Sequence, residues 1–451
     1  MTMVDGDKAR RWRQRQALWA LIIATVTPLF GLLILHRVWI KRKPLAGVAD
    51  KLHGRGAAVP AGHVLVHGVS LGEVHLMRPL VPLLEQISGR RCVLTTTTGT
   101  GWDALAHHFP GHVRNFWPAE RVSAVRHFLT RVRPSVVILL EVEIWPLMLS
   151  ECHARGIPVL ILNARIGDAS FQGYRHAGSL LRPLLRACHL VVAQNGLWGA
   201  RLTHLGVPRA RLAVPGSLKA DLIRPAASDA AQAWAQTVGL DAQRPLLLLA
   251  STSAGAAGQP SEEAAILRDT LGRWRERGWQ VAIAPRHPER GAEVATLVER
   301  CGGAPRRISQ NQRCDRDDAV LIIDVIGKLG LLYAYTAASN GIAIVGGSLG
   351  SGRHGQNVWE AAAARCCTVV GPDTRNFPDA MALLRQASAV IELPLPVPAQ
   401  VLADLAEDPA RRQALGLAAQ TTWAASRGTL IRLKGILQTR WPVAKGSAQA
   451  E

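Results

Sequence analysis

His63-Val64-Leu65-Val66-His67-Gly68-Val69-Ser70-Leu71-Gly72-Glu73 decides the fold class of this chain of 451 residues. Val64, Leu65 and Val66 form the short apolar, β-branched run of a buried parallel strand. Gly68 and Gly72 permit close backbone approach, and Val74 to Leu84 then reads as a helix. Glu73 falls in the first turn of that helix, at the carboxyl end of the strand, which is the edge where open α/β sheets bind ligands. From these residues alone, Glu73 is either a carboxylate placed for chemistry or a capping carboxylate that satisfies the first N–H groups of the helix. Gly68-Val69-Ser70-Leu71-Gly72 also matches the G-x-S-x-G pattern literally, which makes a serine esterase using Ser70 a competing reading.

Working outward, short apolar strands alternate with helical stretches. In the first half they are Val64 to Val66, Cys92 to Thr95, Ser135 to Leu140, Pro158 to Leu162 and Leu190 to Ala193, the pattern of a parallel, doubly wound sheet. Between Ile223 and Pro245 the composition shifts to Ala, Asp, Gln and Pro without a long apolar run. Leu246 to Ala250 then opens a second series, continued by Val281 to Ala284, Val320 to Ile323, Ile342 to Val345 and Thr368 to Val370. Val401 to Leu437 is helical in pattern. The expected organisation is therefore α/β, with two Rossmann-like domains facing a cleft. The first spans 44–222, and 223–245 is a linker. The second spans 246–437 and includes the terminal helices; 1–43 precede the first domain and 438–451 form a tail.

Lys and Arg outnumber Asp and Glu by 53 to 33, an excess that favours an anionic partner such as nucleic acid, an acidic membrane or a phosphorylated ligand. With 48% hydrophobic residues the chain is globular, not disordered. Ala17 to Leu35 carries no charged side chain and is flanked by Lys8, Arg10, Arg11, Arg13 and Arg15 on one side and Arg37, Lys41, Arg42 and Lys43 on the other. That run predicts a membrane-anchor helix with Trp19 and Trp39 near its two boundaries and the basic body on the cytoplasmic face. No RNA-binding aromatic motif, zinc finger or helix-turn-helix signature supports nucleic acid as the partner. The seven cysteines are odd in number and show no C-x-x-C pairing, so they read as reduced thiols.

Further motifs stand at strand ends. Pro285-Arg286-His287-Pro288-Glu289-Arg290 follows a strand, and a guanidinium there can grip a phosphate. Val345-Gly346-Gly347-Ser348-Leu349-Gly350-Ser351-Gly352 is a glycine-rich loop whose N–H groups could cradle phosphate, with Asn357 and Glu360 beyond it. Glu141 and Glu143 end another strand, and the two-residue period points one inward and one outward. Lys219 follows Gly216-Ser217-Leu218, where a cation could neutralise a leaving group. Asp315-Arg316-Asp317 lies in a charged loop and reads as solvated, not as a metal site.

Taken in order, these segments resemble the 3-deoxy-D-manno-octulosonic acid (Kdo) transferases of lipopolysaccharide assembly. The resemblance rests on His67 to Glu73, Glu141-Val142-Glu143-Ile144-Trp145-Pro146, Asn163-Ala164-Arg165 and Gly216-Ser217-Leu218-Lys219-Ala220-Asp221. It continues through Pro285 to Arg290, Val345 to Leu349, Asn357 to Glu360, and Gly371-Pro372 with Asn376-Phe377. It implies GT-B architecture and transfer of Kdo from CMP-Kdo to a lipid A precursor of the lipid IVA type. It further implies Glu73 as general base, with Glu141 and Lys219 in transition-state stabilisation. CMP-binding segments are implied at Pro285 and Arg286, at Ile326, Gly327 and Lys328, and at Asn357, Val358, Trp359 and Glu360. No metal or other cofactor is expected, and the implied location is the bacterial inner membrane with the catalytic domains on the cytoplasmic face. A catalytically inactive nucleotide-binding membrane scaffold is the alternative from a different class.

Three departures from the family pattern stand out. Gly327-Lys328 replaces a usual Gly-Glu, and Ser251-Thr252-Ser253-Ala254-Gly255 is separated from Glu262-Glu263 by an insertion. His354-Gly355-Gln356-Asn357 stands where Gly-Gly-His-Asn is usual.

Overall fold

The computed structural model describes residues 12–14, 16–22, 46–141, 144–256 and 258–442. The chain divides into two compact units, Met1–Leu222 with Gly428–Glu451, and Ile223–Arg427.

The first unit is built on seven parallel strands: β1 Val64–His67, β2 Cys92–Thr96, β3 Val113–Phe116, β4 Val136–Leu140, β5 Val159–Ala164, β6 Leu190–Ala193 and β7 Leu212–Ala213. Their order is β3-β2-β1-β4-β5-β6-β7, with Val64 of β1 in register with Cys92 on one side and Val136 on the other. Alternate side chains go to opposite faces, as the two-residue period requires. Leu65, Val137 and Ile161 join one buried cluster, while Val66, Ile138 and Leu162 join the other. Strand order reverses between β1 and β4, and in such sheets ligands bind outside the carboxyl ends of the strands at that point.

The second unit repeats the plan with β8 Leu246–Thr252, β9 Gln280–Pro285, β10 Ala304–Arg307, β11 Ala319–Ile322, β12 Ile342–Val345, β13 Cys367–Val370 and β14 Ile391–Glu392. Its parallel order is β10-β11-β9-β8-β12-β13-β14, so the reversal falls between β8 and β12.

The structure departs from the sequence reading in four places. The terminal helix Thr429–Arg440 was expected with the second domain but packs on the first unit, where Leu433 and Leu437 enter the core. Asp221 fixes its start by accepting from the N–H groups of Gly428 at 2.8 Å and Leu430 at 2.6 Å. The stretch 223–245 is not a bare linker, because Ser228–Thr237 is a helix that buries Ala231 and Ala235 against the helix Leu329–Ala338. Strands β3, β7, β10 and β14 were not expected, and all four are sheet edges. Finally, residues 23–35 of the expected anchor lie outside the described residues, among which no helix is long and apolar enough to cross a membrane. Trp19, expected at a bilayer boundary, is instead buried with Trp12 in the first unit's core, and Gln16 on the same helical face donates to Glu151 at 2.6 Å. All seven cysteines are free thiols.

Candidate functional site

Glu73 sits in the first turn of the helix Leu71–Ser88, directly after β1. Its carboxylate turns back on the helix start. Oε2 accepts from the N–H of Val69 and, at 3.3 Å, of Ser70, while Oε1 accepts from the Ser70 hydroxyl at 3.2 Å. The capping geometry is thus present. Gly68 makes it possible, since a Cβ there would come within 2.9 Å of the Glu73 Cβ; Gly72 meets no such crowding, and its expected close approach is not found. Capping does not exhaust the carboxylate, however. Burial raises its pKa above the usual range, and the negative charge of Glu141 raises it further, against the opposing pull of the Val69 and Ser70 hydrogen bonds.

Glu141 follows β4, on the other side of the strand-order reversal. Its backbone is left-handed, φ 58°, a conformation that costs a residue with a Cβ about 1–2 kcal/mol. Its N–H is held by the Leu162 carbonyl at 2.9 Å. Glu141 Oε1 lies 3.5 Å from Nζ of Lys219, the first residue of the short helix Lys219–Leu222. Residues 142 and 143 are outside the described residues, so the expected inward-outward pairing of Glu141 with Glu143 is not followed further. Three residues far apart in sequence, Glu73, Glu141 and Lys219, therefore meet at one sheet edge.

The esterase reading of Ser70 finds no histidine partner for the hydroxyl among the described residues. Ser70 Oγ is engaged by Glu73, and no histidine among the described residues hydrogen-bonds to it. His67 is fully buried, stacked on Trp117 at 3.9 Å, and burial pushes its pKa down to about 3. The base within reach of Ser70 is the Glu73 carboxylate, so the Ser-His pairing of an esterase is not found among the described residues.

In the second unit the adjacent carboxyl ends of β11, β9, β8 and β12 bring the other expected segments to one edge. Arg286 follows β9 with its side chain exposed, and its guanidinium makes no hydrogen bond or ion pair among the described residues. Ile326 is 88% exposed, Gly327 is left-handed at φ 88°, and Lys328 precedes the helix Leu329–Ala338. Asn357 caps the helix Val358–Ala363, accepting from the Trp359 N–H at 3.3 Å and donating to Glu360 Oε1 at 3.2 Å. Burial raises the pKa of Glu360, while Asn357 and the charge of Arg286 pull it down. Pro285, Val358 and Trp359 are buried, so their side chains build the segments; Arg286 is exposed, and Lys328, Asn357 and Glu360 are partly accessible.

Part of this edge is already committed to internal contacts. Within the glycine loop the N–H groups of Gly347 and Leu349 are not open for a phosphate, because the fully buried Glu262 accepts from them at 2.7 and 2.8 Å and from Ser253 at 2.8 Å. Arg290 is likewise committed, bidentate to Glu263 at 2.8 and 3.2 Å, with Thr252 Oγ1 donating to the same carboxylate at 2.6 Å. The insertion before Glu262-Glu263 leaves both contacts intact. Asp317, in the charged loop, is 99% exposed and pairs with Arg244. Among the described residues no group of three or more His, Cys, Asp or Glu is placed to hold a metal ion.

Comparison with known proteins bears on this geometry. A family model described as 3-deoxy-D-manno-octulosonic-acid transferase (kdotransferase) matches residues 39–222. A 3-deoxy-D-manno-octulosonic acid transferase of Bordetella pertussis is 35% identical over 403 residues, covering 85% of this chain and 89% of its own. Its counterpart from Haemophilus influenzae is 28% identical over 398 residues, covering 86% and 89%. Among solved structures, the complex of S. aureus MnaA with UDP matches with a TM-score of 0.56 at 11% identity, covering 86% of this chain and 100% of its own. That likeness is one of fold: two parallel seven-stranded sheets in a GT-B-like α/β architecture.

Proposed function

Starting from the fact that the chain belongs to the Kdo transferase family, glycosyltransferases of lipopolysaccharide biosynthesis, we propose that it transfers Kdo from CMP-Kdo to a lipid A precursor of the lipid IVA type. In this reading the acceptor hydroxyl attacks the anomeric carbon of Kdo. The new C–O bond forms as the bond from that carbon to the CMP phosphate breaks, CMP leaves with the electron pair, and the hydroxyl proton passes to Glu73. Attack opposite the leaving group inverts the anomeric centre.

The observation that carries the reading is the trio at the β1/β4 reversal. Glu73 has a raised pKa, so its conjugate acid is only weakly acidic and its carboxylate is a better base than a solvated glutamate. Glu141 raises that basicity and can support positive charge on the sugar, and Lys219 balances Glu141 at 3.5 Å and can meet charge on the departing phosphate. In the second unit Arg286 is the group suited to the phosphate, since it is exposed and uncommitted. Asn357 and Glu360 offer a donor and an acceptor for the nucleoside, and Lys328 adds a cation where the family has a carboxylate. The reaction is assigned no metal. The enzyme is proposed to act at the cytoplasmic face of the inner membrane, beside a lipid acceptor.

The test is incubation of the purified protein with CMP-Kdo and a tetraacyl lipid A precursor, followed by mass spectrometry. The expected result is a product heavier by one or more Kdo units. Intact acceptor in the presence of folded protein and fresh donor would contradict the assignment.

A further inference from the structure

The segment that carries Lys219 is held in place by two side chains from the ends of neighbouring strands. Asn163, next to last in β5, is 2% exposed and left-handed, φ 57°. Its Oδ1 accepts from the N–H of Leu218 at 3.1 Å, and its own carbonyl accepts from Gln194 Nε2 at 2.8 Å. Gln194, buried just past β6, accepts through Oε1 from the Ser217 hydroxyl at 3.2 Å, and Ser217 Oγ accepts in turn from the Lys219 N–H at 3.3 Å. Two routes therefore run from Asn163 to the backbone around Lys219, one direct and one through Gln194. On the far side Asp221 is fixed by the N–H groups of Gly428 and Leu430. The segment 217–221 has little room to shift, and Lys219 Nζ is delivered to Glu141.

The residue type follows from the position. A positive φ disfavours side chains with a Cβ, and asparagine and aspartate tolerate it best after glycine. Glycine would keep the backbone but lose the acceptor for Leu218. Aspartate would keep the acceptor but bury a charge at a site only 2% exposed. Asparagine meets both demands while staying neutral, although its Nδ2 has no hydrogen-bond partner among the described residues.

We propose that Asn163 is a positioning residue for transfer: through the Leu218 amide and the Gln194–Ser217 pair it sets where Lys219 stands against Glu141. It touches no reacting atom. The inference rests on the assignment of Lys219 and Glu141 to the reaction, and the test separates the two.

Kinetic constants are measured for the wild type, Asn163→Gly, Lys219→Ala and the double variant. Asn163→Gly should lower kcat about tenfold, within the range of couplings seen inside one hydrogen-bond network, with the KM for CMP-Kdo unchanged. In the Lys219→Ala background the same substitution should cost nothing further, because its effect has only Lys219 to act through. An equal loss in both backgrounds, or an undiminished kcat in Asn163→Gly alone, overturns the inference. A wild-type kcat in Lys219→Ala defeats the assignment of Lys219, and the inference falls with it. If Asn163→Gly does not fold, Gln194→Met breaks the second route and must show the same dependence on Lys219.

Discussion

The two units carry the same seven-stranded parallel plan and the same reversal of strand order, yet their carboxyl edges end up with opposite chemistry. At the first edge the carboxylates of Glu73 and Glu141 reach the ligand-binding side of the sheet. At the second, Glu262 and Glu263 are fully buried and committed to three backbone N–H groups, Thr252 and Arg290, while Arg286 is exposed and Lys328 partly accessible. Burial raises the pKa of both Glu73 and Glu262, so a shifted pKa does not distinguish a base from a brace. Their partners do. Glu262 is enclosed and accepts only main-chain donors from remote loops. Glu73 accepts only from Val69 and Ser70 of its own turn and stands at the reversal point near Glu141 and Lys219, while a neighbouring carboxylate raises the pKa of both Glu73 and Glu262. One fold thus yields an acid-bearing edge suited to taking a proton and a cationic edge suited to a phosphate, depending on which carboxylates the loops consume.

The contrast is most exposed to the paired substitutions Glu73→Gln and Glu262→Ala. Glu73→Gln should lower transfer by about 10²–10⁴-fold, the usual contribution of a positioned general base, with CMP binding retained by calorimetry. It should not destabilise the protein above neutral pH. A carboxyl whose folded pKa is raised binds its proton more tightly when folded, so stability declines as pH rises through that pKa, and the amide removes the decline. Glu262→Ala leaves three buried N–H groups unpaired and should lower unfolding stability by about 3–5 kcal/mol in a denaturant titration, an effect on structure and not on the chemical step. If Glu262→Ala unfolds no more easily than wild type, the brace reading fails. Arg286→Ala should weaken CMP binding about 10–100-fold through loss of a charge-assisted contact, with no change in stability; unchanged affinity would remove Arg286 from the donor site.

How much of this was legible in the sequence follows the same division. Central strands such as Val136–Leu140 are buried on both faces and announce themselves as apolar runs. The edge strands Val113–Phe116 and Ala304–Arg307, spelled V-R-N-F and A-P-R-R, are partly solvated and carry no such signal. Glu73 could be singled out because its place at a strand end is local. The work of Glu262 could not, since its donors lie at 253, 347 and 349, and only the closed fold brings them together. The same holds for Asn163, whose partner Leu218 belongs to a different strand end. The helix Thr429–Arg440 was misplaced because nearness in sequence suggested the second unit, whereas Leu433, Leu437 and the Asp221 cap tie it to the first.

The central claim is that Glu73 is the base and that burial and Glu141 tune it. The most direct measurement is the acid limb of the single-turnover rate of transfer, followed against pH in the wild type and in Glu141→Gln. Glu73 must be deprotonated to act, so the wild-type limb should lie above the ordinary glutamate value of about 4.3, and removing the Glu141 charge should move it to lower pH even as the rate falls. A limb at the ordinary value, or one that stays in place in Glu141→Gln, would contradict the account.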